Sequence, residues 1–347
     1  MLPTAPEDEL PSRDREILKA IVQDFISTGE PVGSQAIAPR YDLSPATVRS
    51  AMADLEALGY LEKPHTSAGR IPTDKGFRLY VDRLLKVRSP APRDRERIER
   101  TVQPAPLSDL MTGASRLLHQ LTHHAAVVMA PEPERTLFKR IEFVRLREDR
   151  VLAILVTRAG LVQNRLITPD FPLGPAELEH ATNLVNEMLG ELTLEQIQER
   201  LEAERNAEQA LYDELRRKTI TLARLAFEGQ RIEQAVVVEG EASFLDERAF
   251  AEDVEKMRKL FASLAEKERL LLVLRKAIEG RDIQIFIGAE SEFSGVPGVS
   301  LVAAPFEQGD GILGAIAVIG PTRMNYAHVI PVVEYTARRV SRTFAVP

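Results

Sequence analysis

The chain has 347 residues, 44% of them hydrophobic, and a formal net charge of −7, which is enough length for two or three domains with real cores. It has no cysteine, which excludes disulfides, thiol catalysis and cysteine-ligated zinc, and no apolar run near the ~20 residues of a membrane-spanning helix. No basic leader precedes an apolar segment, so the expected location is cytoplasmic.

In chain order, the first predicted helix covers 13–28, capped by Ser12, with Ile17, Leu18, Ile21, Val22 and Phe25 on its inner face. The TGEP stretch at 28–31 breaks it, and a short helix follows at 34–40. Tyr41, Asp42 and Leu43 then turn the chain into its most informative stretch, LSPATVRSAMADLEALGYLEKPHTSAGR at 43–70. Ser44 is a good N-cap, and Pro45 suits the first helical position, where a missing N–H costs nothing. Val48, Met52 and Leu55 recur at i, i+4 and i+7 as one apolar stripe, and Gly59 ends the helix. Thr47, Arg49 and Ser50 fall off that stripe on the first exposed turns. The order is that of a helix-turn-helix with a recognition helix. A strand at 60–65, a turn of small residues at 66–69 and a returning strand at 70–73 make a wing. A helix at 74–86 closes the unit with Phe77, Tyr80, Val81, Leu84 and Leu85 inward.

A net charge of −7 suits DNA poorly until it is split by region. Residues 60–88 hold seven basic side chains against three acidic ones, while the acidity lies in the N-terminal tail and the long C-terminal part. Positive charge beside the wing is what phosphate neutralisation needs. Arg49 and Thr47 are the candidates for base edges, followed by Ser50. Ser44, Lys63, His65, Thr66, Ser67 and Arg70 are the candidates for phosphates or the minor groove.

Residues 89–106, with four prolines around RDRERIER, read as a linker holding one short, solvated polar helix. Beyond it a helix at 107–122 precedes strands at 125–129, 138–147, 151–158 and 161–167. A long helical stretch broken near 190 runs to 227, a strand lies at 235–238, and helices follow from 248 to 279. Strands return at 283–288, 299–305 and 312–319 before a closing helix from Tyr326. No GxSxG, Walker, GxGxxG or HExxH pattern supports an enzyme, and no cofactor is implied. His119, His123 and His124 lack the companions of a metal site and read as surface histidines. The stretch 288–298 reads as a surface loop, and Arg323, in the turn GPTRMNY, as the partner of an internal carboxylate.

Three separated segments, in order, resemble the heat-inducible transcription repressor HrcA family. They are LSPATVRSAMADLEALGYLEKPHTSAGRIPTDKGFRLYVD, the looser VVVEGEASFL…EDVEKMRKLF, and AVIGPTRMNYAHVIPVVEYTARRVSRTF. The family usually carries Asn where this chain has Ser50. The resemblance implies a multidomain α+β chain: a winged-helix DNA-binding domain at 1–88, the linker at 89–106, and a GAF-like α/β sandwich at 107–175 and 279–347. A helix-rich dimerisation domain would interrupt that sandwich at 176–278. It also implies a repressor that binds an inverted repeat upstream of chaperone operons as a homodimer and depends on the chaperonin GroEL. Leu194, Ile197, Leu201, Leu211 and Leu215 form apolar stripes in the insert and are the candidates for the dimer contact. The alternative is a winged-helix regulator whose GAF-like domain senses a small molecule.

Overall fold

The computed structural model describes residues 10–64, 69–129, 137–147, 149–157, 162–190, 192–206, 214–227, 236–246, 248–251, 253–280, 282–291, 296–308 and 311–344. The N-terminal head consists of α1 (Ser12–Thr28), α2 (Ser34–Ile37), α3 (Pro45–Ala57), the two-stranded wing β1 (Leu61–Glu62) and β2 (Ile71–Pro72), and α4 (Asp74–Leu79). A 3-10 turn, Ala38–Tyr41, follows α2, and a π turn, Tyr80–Leu84, extends α4. Ser12 is not the cap of α1. Pro11 occupies that position, and its carbonyl accepts from the amides of Asp14 and Arg15 at 3.0 and 3.1 Å. Ile17, Leu18, Ile21 and Val22 of α1 bury against Val48, Ala51, Met52 and Leu55 of α3, the stripe expected from the spacing.

The body is built on a five-stranded antiparallel sheet in the order β7-β3-β10-β9-β8. Its strands are β3 (Ala125–Met129), β7 (Val236–Glu239), β8 (Gln284–Phe286), β9 (Val299–Gln308) and β10 (Gly311–Pro321). One face, with Val128, Ile316 and Val318, packs under α6 (Leu107–Thr122) and the closing helix α13 (Tyr326–Phe344). The other, with Val127, Ala317 and Ile319, packs under α10 (Arg248–Ala251), which contributes Phe250, α11 (Val254–Ala265) and α12 (Lys267–Glu279). Covered on both sides, these strands lose the alternation of a half-solvated sheet and read as continuous apolar runs.

The sequence pattern places 138–167 in the body and 236–278 in the insert; the strand pairing reverses both. Strands β4 (Phe138–Arg147), β5 (Arg150–Thr157) and β6 (Val162–Ile167) form a separate three-stranded sheet. It packs on α7 (Pro175–Leu189), α8 (Leu194–Asn206) and α9 (Glu214–Phe227) around a core of its own, in which Phe138 and Phe227 meet edge to face at 5.2 Å. The partner of β3 is β7, in register Met129↔Val236. The excursion from the body therefore lies between Met129 and Val236. Hairpin signals identify adjacent strands but not the sheet they join.

The linker also differs from expectation. Its helix α5 (Pro92–Thr101) buries Ile98 and Val102 against the body. Asp94 meets His328 Nε2 of α13 at 3.0 Å, and Arg339 Nε donates to the Val102 carbonyl at 3.1 Å. The connection is a strap bound to the closing helix, because Ile98 supplies an apolar contact that its charged neighbours conceal. Head and body share one continuous core, with Phe77 and Tyr326 rings 6.2 Å apart.

Candidate nucleic-acid interface

Both ends of α3 are fixed by local chemistry. At the start, Ser44 Oγ accepts from the Thr47 amide at 3.1 Å and pairs with Thr47 Oγ1 at 2.9 Å. Such a cap is worth about 1 kcal/mol. At the end, Gly59 takes φ 77°, its amide donates to Glu56 O, and the Tyr60 amide donates to Leu55 O, both at 2.9 Å. These two bonds form a Schellman closure, which needs a residue at ease with positive φ. Lys75 Nζ adds a cation at the negative end of the helix, donating to Leu58 O at 2.8 Å while lying 4.4 Å from the Tyr60 ring centre.

On this braced helix Arg49 and Ser50 are exposed, and Ser44 and Thr47 sit beside them at its N-terminus. Lys63 is exposed just after β1. Among the described residues, neither Arg49 nor Lys63 has an ion-pair partner. His65, Thr66 and Ser67 lie outside the described residues.

Arg70 has a different role from the one expected. Its Nε and Nη2 each approach Glu56 Oε2 at 2.8 Å, and its side chain is only 19% exposed. Its backbone exchanges two 2.9 Å hydrogen bonds with Val32. A β-carbon on the preceding Gly69 would come within 2.8 Å of the Pro31 backbone. Arg70 therefore ties the wing's return strand to the last turn of α3 and to the loop after α1. Its charge in the wing places it among the phosphate contacts, but a count of charge cannot see Glu56, fourteen positions upstream.

Another basic residue of the same stretch, Arg78, faces the body. Arg78 pairs with Glu290 and Asp82 and donates to the Ile285 carbonyl. Asp74 Oδ2 accepts from the Ala289 amide at 2.9 Å. The 3-10 turn Gly288–Ser291 is therefore the landing site of α4 and not a free surface loop. Arg323 reaches the head as well, its guanidinium lying 3.1 Å from the position a β-carbon of Gly29 would take at the end of α1.

The histidines are not all surface groups. His119 Nδ1 is 3.0 Å from the His124 carbonyl, and His123 closes α6 at φ 57°. Burial, reinforced by the charges of His123 and Arg323, pushes the His124 imidazole down to about 4. Among the described residues, no group of His, Asp or Glu is arranged to hold a metal.

The expected dimer stripe is also spent internally. Ile197 and Leu201 are buried in the insert's own core, Leu194 packs on it, Leu215 is half-buried, and Leu211 lies outside the described residues. The outer face of the three-stranded sheet instead exposes Val144, Leu146, Val162 and Leu166, at 37, 53, 58 and 50%. In register, Val144 stands beside Leu152 and Leu152 beside Leu166, while Val156 stands beside Val162. The signal was present in β5, where VLAILV at 151–156 is apolar on both faces.

Comparison with known proteins agrees with this architecture. The family "Winged helix-turn-helix transcription repressor, HrcA DNA-binding" matches residues 9–82, and "HrcA protein C terminal domain" matches 108–330. The heat-inducible transcription repressor HrcA of Anaeromyxobacter sp. (strain K) is 52% identical, covering 98% of both chains. That of Geobacter sulfurreducens is 43% identical, over 96% of this chain and 98% of its own. A solved structure, described as a hypothetical protein at 2.2 Å resolution, superposes with a TM-score of 0.65 at 25% identity, over 97% of this chain and 99% of its own. Among the described residues no helix is long and apolar enough to cross a membrane. With its capped recognition helix and wing set on this body, the chain belongs to the HrcA family of heat-inducible transcription repressors.

Proposed function

We propose that the chain represses chaperone operons in the cytoplasm by binding an inverted-repeat operator as a homodimer, with activity dependent on the chaperonin GroEL. The observation that carries the reading is α3, held at both ends, with Arg49 and Ser50 exposed at its N-terminal turns. Arg49 reads a guanine edge in the major groove, Ser44, Thr47 and Ser50 contact neighbouring base edges or phosphates, and Lys63 takes a phosphate. The wing tip, with His65, Thr66 and Ser67, follows the adjacent backbone. One head covers only a half-site, so an inverted repeat needs two heads related by a two-fold axis.

The five-stranded unit acts as a GAF-like scaffold, and the inserted unit dimerises through the outer face of its sheet, where Val144, Leu146, Val162 and Leu166 remain uncovered. A contiguous apolar face of this kind marks a protein contact. Exposed in a dissociated subunit, it also gives a chaperonin something to recognise.

The test is footprinting of the purified chain, with and without GroEL, on the DNA upstream of the organism's own chaperone genes. Two protected half-sites a helical turn or a multiple apart are expected. Arg49→Ala should weaken operator binding by ~1–3 kcal/mol while leaving random DNA bound nearly as before. Equal loss on both DNAs would move Arg49 to the phosphate class, and a single protected half-site would remove the dimer.

A further inference from the structure

The head is joined to the body by directed polar contacts as well as by its strap. Arg78 Nε donates to Glu290 Oε1 at 3.1 Å, and Nη2 reaches Glu290 Oε2. The same Nη2 donates to the Ile285 carbonyl of β8 at 2.5 Å. One turn earlier in α4, Asp74 Oδ2 accepts from the Ala289 amide at 2.9 Å. The carboxylate that grips Arg78 is itself held, because Glu290 Oε2 accepts from the Ile287 amide at 3.1 Å. Gly288 takes φ 55°, and a β-carbon there would overlap the Asp74 carboxylate. The turn is therefore shaped for this close approach.

Apolar contacts such as Phe77 against Tyr326 hold the head on the body but tolerate sliding. A guanidinium gripped by two carboxylate oxygens and a carbonyl has one direction. Docking leaves Arg49, Ser50 and Lys63 exposed, so the head presents its DNA surface while seated. The insert has a core of its own, separate from the core that head and body share. With the dimer contact in the insert, any force that aligns one head with the other has to cross the body and this joint.

We propose that Asp74, Arg78 and Glu290 are positioning residues for operator recognition. They fix the direction in which each α3 faces away from the body, and through it the separation and rotation of the half-sites that the dimer accepts. This spacing rule rests on the homodimer proposed above.

Fluorescence anisotropy of the full chain, under the conditions that give the footprint, tests the rule on three duplexes. These are the footprinted inverted repeat, the same repeat with two base pairs added between its half-sites, and one half-site alone. The added pairs turn one half-site by about 70° and shift it by about 7 Å relative to the other. The parent should bind the lengthened repeat at least roughly tenfold more weakly than the natural one. Asp74→Ala/Arg78→Ala should shrink that ratio to about threefold or less. It should keep the parent's affinity for one half-site, since α3 and the wing are unchanged. Glu290→Gln, which alters nothing in the head, should shrink the ratio in the same direction. Asp74→Asn, whose amide oxygen still accepts from Ala289, should keep it. The rule falls if the double variant and Glu290→Gln discriminate like the parent, or if the parent binds both repeats alike yet better than one half-site. A parent that binds the inverted repeat no better than one half-site would overturn the homodimer, and the rule with it.

Discussion

In the five-stranded sheet, β3 and β10 are apolar on both faces, and helices cover both faces. In the three-stranded sheet, β5 is hardly less apolar, yet helices cover only the face that carries Val151, Ala153 and Leu155. Strands with this composition suit a sheet covered on both faces, and among the described residues the smaller sheet is covered on one. Under the proposed function the second cover is another subunit. A strand's own pattern thus reports how many partners it needs, and the folded chain reports how many it has.

The comparison is broken most directly from the fully covered side. Ile316→Ala, in the centre of β10, should cost ~2–5 kcal/mol by denaturant unfolding, as large-to-small changes in a closed core do. Leu166→Ala, half exposed on the smaller sheet, should cost well under that in a monomeric background. Similar costs at both sites would mean that the outer face is covered after all.

Placing a charge on the open face comes next. Leu166→Asp should raise the dimer dissociation constant at least ~100-fold, roughly 3 kcal/mol, in sedimentation, with near-parental secondary structure. Ile197→Ala is the contrasting variant: it should loosen the insert's core without acting on the interface directly. If Leu166→Asp stayed dimeric, the face would not be the contact.

Acid separates the two sheets by another route. His124 lies in the five-stranded unit with its imidazole pushed down to about 4 from 6.5. The unfolded chain therefore binds the proton more readily, so stability is full above about pH 6.5 and falls as pH drops from there toward 4. Between pH 7 and 5 the loss should be ~2 kcal/mol by the linkage relation. Thermal melts of the parent and of His124→Gln across that range check it. The variant should lose most of the slope, and an unchanged slope would assign it to other groups.

The smallest effect belongs to a residue whose partner is already in place. Arg70→Ala should loosen the wing and weaken operator binding by less than tenfold, consistent with a partly exposed ion pair worth about 0.2–1 kcal/mol. Because Glu56 already occupies its guanidinium, the slope of log K against log salt should not change. A drop of about one unit would restore a phosphate contact.

What the sequence made legible follows the same division. The ends of α3 could be read from Ser44, Pro45 and Gly59, because caps are decided within a turn of the residues that make them. Strand positions were legible for a similar reason. The sheet that β4, β5 and β6 belong to, the seat of α5 and the partner of Arg70 were not. Each depends on a contact with a distant segment, and composition around the residue carries no trace of it. The stripe Leu194, Ile197 and Leu201 shows the limit most clearly: apolar periodicity says that a face is buried, but a fold's own core and a second subunit satisfy it equally well.

Met129 and Val236 are direct neighbours across the β3–β7 ladder, so the chain leaves the body and returns to it within one strand spacing, after an excursion of roughly a hundred residues. Topologically the inserted unit is a very large hairpin loop. A disordered loop of that length would delay the pairing of its ends, since closure entropy grows with the number of residues enclosed. A loop that folds first, around its own core, presents those ends already near one another. If the unit folds in that order, the peripheral domain is the clamp on which the central sheet is completed. The same geometry makes the unit portable, because a short turn joining Met129 to Val236 would close the ladder without it.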